Sequence, residues 1–204
     1  MKAAVWKRQI QPLLVGNPEW KFQGAFCYRA PVVHVAYGVL AESSSYDTGT
    51  YLWRVFTPLF HALDHLDLSF SKRLDPGRFY EGDNTLTSAV QTVLTSMAAT
   101  DDAAKLEHIA KYDGVFKGNI QTAESAGYAR YLLGRRKTAL LALRRVADYE
   151  SDRPEMWDAS ERAQTILDLD SSSGEDAVKA TLHQWSRDGA ARLNLVDRSE
   201  KAQP

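Results

Sequence analysis

The spacing of apolar residues changes character once along this chain, and the change divides it. Val5, Trp6, Gln9, Ile10, Leu13 and Leu14 fall at helical intervals, and Pro12 must kink or end that short first helix. From Trp20 the period becomes two. Trp20, Phe22, Phe26 and Tyr28 alternate with Lys21, Gln23, Cys27 and Arg29, which predicts a half-buried strand whose register Gly24 interrupts. Pro31 to Ala41 is apolar on both faces and rich in β-branched residues, as a central strand covered on both sides requires. The turn-forming run Glu42 to Gly49 leads to a third strand, Thr50 to Thr57, closed by Pro58. Leu66, Leu68 and Phe70 alternate with Asp67, Ser69 and Ser71 and predict a fourth. Links this short favour an antiparallel meander, because parallel neighbours need long crossovers.

Beyond Gly82 the helical period takes over. Asp83 or Asn84 is placed to cap a helix with the stripe Leu86, Val90, Val93, Leu94 and Met97, and Asp101 to cap another with Leu106, Ile109 and Tyr112. Ala126, Ala129, Leu132 and Leu133 lead to Gly134, an expected C-cap, and Ala139, Leu140, Leu143 and Val146 resume the pattern. Pro154 suits the first position of a further helix through Leu167, and Ser171 to Glu175 separates it from a last helix with Ala177, Leu182 and Trp185. The pattern therefore predicts an α+β chain: an N-terminal helix and four-stranded antiparallel meander over residues 1–80, an all-helical, repeat-like region over 81–196 packed on or appended to the sheet, and a frayed tail over 197–204.

Composition adds little to this picture, but charge does. The chain has 204 residues, 44% of them apolar, enough for a core without metal or disulfide support. The one cysteine, Cys27, has no internal partner for a disulfide, and the first ten residues carry charges within their apolar stretch, so a cytoplasmic location is expected. No apolar run approaches the roughly 18 residues of a membrane span. The net charge of −1 conceals a segregation: Ala126 to Ala147 holds six basic residues and no acidic ones, whereas Asp148 to Asp176 holds ten acidic residues against Arg153 and Arg162.

Candidate chemistry is sparse. His61, Asp64, His65 and Asp67 lie within seven residues; on a helix, His61 and His65 would share a face and could grip a divalent metal with Asp64, as in a metal-dependent hydrolase. The flanking Pro58 and strand argue instead for a solvated linker with no metal. His34 reads as a hydrogen-bonded core residue, His108 and His183 stand alone, and Cys27 reads as an inert thiol. Gly134 to Lys137 lacks the spaced glycines of a phosphate loop, so no nucleotide cofactor is expected. The basic turn around it reads as solvated or paired with the acidic stretch rather than as a nucleic-acid site. The carboxylates Asp148, Glu150, Asp152, Glu155 and Asp158 form the expected partner-binding surface, since dense negative charge steers a cationic partner. The dipole of the following helix accounts for Glu155 and Asp158. It does not account for Asp148, Glu150 and Asp152, which fall at or beyond the end of the preceding helix.

Ala129 to Leu143, with Leu133-Gly134 at one helix end and Ala139 early in the next, resembles the middle of a tetratricopeptide repeat, within a hairpin spanning 126–149. The order of helix, aromatic-rich meander and helices, with Phe26-Cys27-Tyr28-Arg29 and Leu68-Ser69-Phe70-Ser71-Lys72-Arg73-Leu74 in the meander, resembles bacterial immunity proteins of polymorphic toxins. That resemblance implies a non-enzymatic protein that occludes the active site of a cognate toxin domain, and the carboxylate stretch adds the expectation that this domain is cationic. A scaffold or adaptor with a peptide-binding helical half is the alternative.

Overall fold

The computed structural model describes residues 2–112, 119–149 and 154–196. Helix α1 (Ala3–Ile10) buries Trp6 and Ile10 and gives way at Pro12 to a 3-10 turn over Gln11–Leu14. Five strands follow in the order β1 (Trp20–Gln23), β2 (Phe26–Arg29), β3 (Val35–Ser43), β4 (Thr50–Pro58) and β5 (Lys72–Arg73), every neighbour antiparallel. The meander stands, with five strands in place of four.

Two strand expectations are corrected. The segment from Trp20 to Arg29 is not one interrupted strand but a hairpin: Gly24 sits at φ +57°, and Gln23 pairs with Phe26 across the two-residue turn. The alternation from Leu66 to Phe70 is not a strand. There side chains replace the ladder, the Phe56 N–H donating to Ser71 Oγ at 3.1 Å and Thr57 Oγ1 donating to the Asp67 carbonyl at 2.9 Å. Pairing with β4 begins only at Lys72 and Arg73.

β3 is covered on both faces, as its composition requires. Val35, Tyr37, Val39 and Ala41 enter the main core with the helices, while Ala36 and Leu40 join a second cluster containing Phe26, Tyr28, Val55, Leu59, Ala190 and Leu195. The main core runs without a break from Trp6 through β3 and β4 to Leu182, so sheet and helices share it.

Helix α2 (Asn84–Ala98) is capped by Asp83 and α3 (Asp102–Ala110) by Asp101, each carboxylate accepting a first-turn backbone N–H. Helices α4 (Ile120–Leu132) and α5 (Arg136–Ala147) form the expected hairpin, closed by the Arg135 N–H donating to the Arg130 carbonyl at 2.9 Å around Gly134. Helix α6 (Pro154–Ser172) extends a turn past Leu167, and α7 (Glu175–Arg192) returns against α6. Every residue of α4 from Thr122 to Ala129 is buried, which makes α4 the central helix. No described helix is long and apolar enough to cross a membrane.

Candidate functional site

The least expected feature of the interior is a carboxylate. Glu124 of α4 is fully buried. Taking an ion of this size out of water costs several kcal/mol, so its partners must offset the loss. Arg162 of α6 donates through Nε to Oε1 at 2.8 Å and through Nη2 to Oε2 at 2.9 Å, the parallel geometry in which guanidinium and carboxylate match. Tyr128, one helical turn along α4, donates its hydroxyl to Oε1 at 2.7 Å. His61, just beyond β4, brings Nε2 to 3.0 Å from Oε2, at ion-pair distance though without the alignment of a hydrogen bond. Burial pushes the Glu124 carboxyl up, but His61 and Arg162 outweigh it and hold the group below the ordinary carboxylate range. Burial, then the adjacent Glu124 charge, pushes the Tyr128 hydroxyl well above its usual value, so it stays a proton donor.

Above this network opens a cleft of about 430 Å³, lined by Phe60, His61, Gln121, Asp158, Arg162, Trp185 and Asp188 among others. Four segments converge on it: the exit from β4 and helices α4, α6 and α7. The approach of α7 depends on Gly189, where a Cβ would stand 2.2 Å from the Leu59 carbonyl oxygen. Only glycine lets the α7 backbone lie this close to the segment carrying Phe60 and His61. Tyr128 braces both aromatic walls edge-on, with ring centroids 5.5 Å from Phe60 and 5.7 Å from Trp185.

No protein-family model, curated protein or solved structure matches this chain. The site is therefore read from its chemistry alone.

Of the residues singled out from the sequence, Asp158 stands at the cleft and Asp148 caps α5, both exposed. Glu150 and Asp152, with the Glu155 side chain, lie outside the described residues. The histidine cluster is dispersed. Its segment is not helical; His61 turns inward to Glu124, while His65 and Asp64 pair with each other at 2.9 Å on side chains 70% and 87% exposed. Among the described residues no group of three or more His, Cys, Asp or Glu could hold a metal ion. His34 is the hydrogen-bonded core residue expected: its Nδ1 lies 2.8 Å from Ser186 Oγ, and that hydroxyl donates to the Leu182 carbonyl. Burial pushes the Cys27 thiol up to about 12, which makes it inert at neutral pH.

The basic turn is engaged within the fold. Arg136 grips Asp170 of the acidic stretch through two bonds of 2.8 Å, Arg135 pairs with Glu107, and Arg130 donates to the Ala110 and Tyr112 carbonyls. Sequence reasoning missed Glu124, Arg162 and Asp188. A signal for the first existed: Glu124 precedes Ser125, Ala126 and Gly127, small residues that mark a closely packed helix on which a carboxylate has no route to water.

Proposed function

We propose that this chain is a non-catalytic, cytoplasmic protein-binding protein of the immunity type, which occludes a cationic toxin domain with the surface that carries Asp148 at the end of α5 and Asp158 near the start of α6. One observation carries the reading. Two large aromatic side chains, Tyr149 and Trp157, are 40% and 55% exposed there, each adjacent in sequence to an exposed carboxylate, Asp148 and Asp158. Aromatic side chains of this size supply much of the energy at protein interfaces, and surrounding charge sets association rate and partner choice. Arg135 and Arg136 are paired with Glu107 and Asp170, which removes two guanidiniums of the basic turn from competition, while Lys137, Arg144 and Arg145 stay exposed on α5.

The test is co-expression with the product of the adjacent reading frame. The reading expects that product to be toxic alone, tolerated with this chain, and co-purified with it. Charge reversal at Asp148 and Asp158 should slow association, and Trp157→Ala should speed dissociation. A harmless neighbour, or one that fails to co-purify, overturns the reading; recovery of many unrelated proteins instead favours an adaptor.

A further inference from the structure

We propose that the cleft over Glu124 is a receptor for one cationic side chain, a guanidinium or ammonium group on an apolar stem, presented by the partner. This deepens the reading above by naming the group that enters, and it rests on the cleft's own chemistry. The volume of about 430 Å³ lies within the roughly 300–1,000 Å³ of ordinary ligand pockets. Its lining includes Trp185, partly exposed and braced edge-on by Tyr128, and an indole attracts cations as well as apolar stems; Phe60 borders the cleft with its side chain buried.

Charge decides the sign of the ligand. Among the described residues of the lining Arg162 is the one guanidinium, and two of its N–H groups are committed to Glu124. An anion would have to compete with a buried carboxylate already seated there. Asp158 and Asp188 are left, exposed and carried on different helices, with their negative charge at the cleft. Asp188 accepts one bond from Gln184 Nε2 through Oδ1, leaving Oδ2 for a ligand; burial pulls Arg162 down, but Glu124 first and Asp158 to a lesser degree outweigh it and keep the guanidinium charged. Gln121, exposed on α4, adds a neutral amide that can accept from a ligand N–H. His61 closes the base, more than nine-tenths buried, its Nε2 facing Glu124 without a hydrogen bond. An indole in the wall, carboxylates at the mouth and a floor whose own carboxylate is already paired with Arg162 make the arrangement a cationic side chain needs.

The experiment titrates the full chain with Nα-acetyl-arginine amide and Nα-acetyl-lysine amide, followed by calorimetry and by the indole N–H resonances. Nα-acetyl-norleucine amide and inorganic phosphate are the comparisons. Saturable binding of at least one cationic amide is expected, with the Trp185 resonance shifted and the neutral amide binding at least about threefold more weakly. Asp188→Asn and Asp158→Asn, both at exposed positions, should each weaken the cation by a similar factor. Equal binding of the neutral amide, indifference to both substitutions, or binding of phosphate in place of the cations would overturn the inference. The probes contain no partner protein, so failure here leaves the co-purification result standing, and failure to co-purify leaves this one.

Discussion

Arg162 and Glu124 are 38 positions apart and on different helices, yet they meet in two parallel hydrogen bonds of 2.8 and 2.9 Å. The pair ties α6 to the centre of α4 and fixes one side of the cleft relative to its floor. Three side chains, Arg162, Tyr128 and His61, converge on Glu124.

Removing its charge should therefore be costly. Glu124→Gln leaves the Arg162 guanidinium and the Tyr128 hydroxyl facing an amide, and a loss of about 3 kcal/mol is expected from breaking one member of a buried pair. Chemical denaturation of the variant beside the natural chain measures it. A change below about 0.5 kcal/mol would show that the network contributes little.

Acid should act through the same group. A carboxyl whose folded value lies below its ordinary one stabilises fully above the ordinary value, and that contribution is lost as pH falls through the folded value. For Glu124, whose ordinary value is 4.5, stability should hold above that pH and decline below it. The decline should be shallower in Glu124→Gln, as denaturation midpoints across pH would show.

Gly189→Ala tests how the cleft is built. The added Cβ would meet the Leu59 carbonyl oxygen at 2.2 Å, and a backbone atom cannot swing aside as a side chain can. Overpacking of this kind costs about 1–3 kcal/mol, so a lower melting temperature is expected, together with a shifted Trp185 indole resonance as α7 moves.

Cys27 provides a probe of global opening. It is the only cysteine, has no exposed surface, and has its thiol pushed up to about 12 by burial. A thiol reagent should label it at the rate of unfolding in native buffer and rapidly in denaturant. Fast labelling of the folded protein would contradict the packing of β2 beneath the helices.

Local periodicity foretold much of this fold because the information it needs is local. The stripe on α2, the carboxylate caps of α2 and α3, the turn at Gly134 and the two-sided burial of β3 each follow from residues a few positions apart. Errors arose where alternation had two solutions. Leu66, Leu68 and Phe70 do bury apolar surface, Phe70 in the main core and the leucines against the other, but along a loop that crosses the sheet edge. Gly24 can interrupt a strand or turn a hairpin, and only the pairing of Gln23 with Phe26 chose the latter.

The site was less legible than the fold. Asp158 was visible as one carboxylate of a charged stretch, and its place beside Trp185 and Asp188 was not. His61 was grouped with its sequence neighbour His65, whereas the structure groups it with Glu124, Arg162 and Tyr128. By itself the sequence determined the α+β division, the caps of α2 and α3 and the segregated charge, because propensity, capping and period act over a few residues. The tertiary structure alone decided that Arg162 and His61 reach Glu124, and that a cleft opens above them. Those outcomes depend on where segments far apart in the chain cross, and no local pattern encodes that.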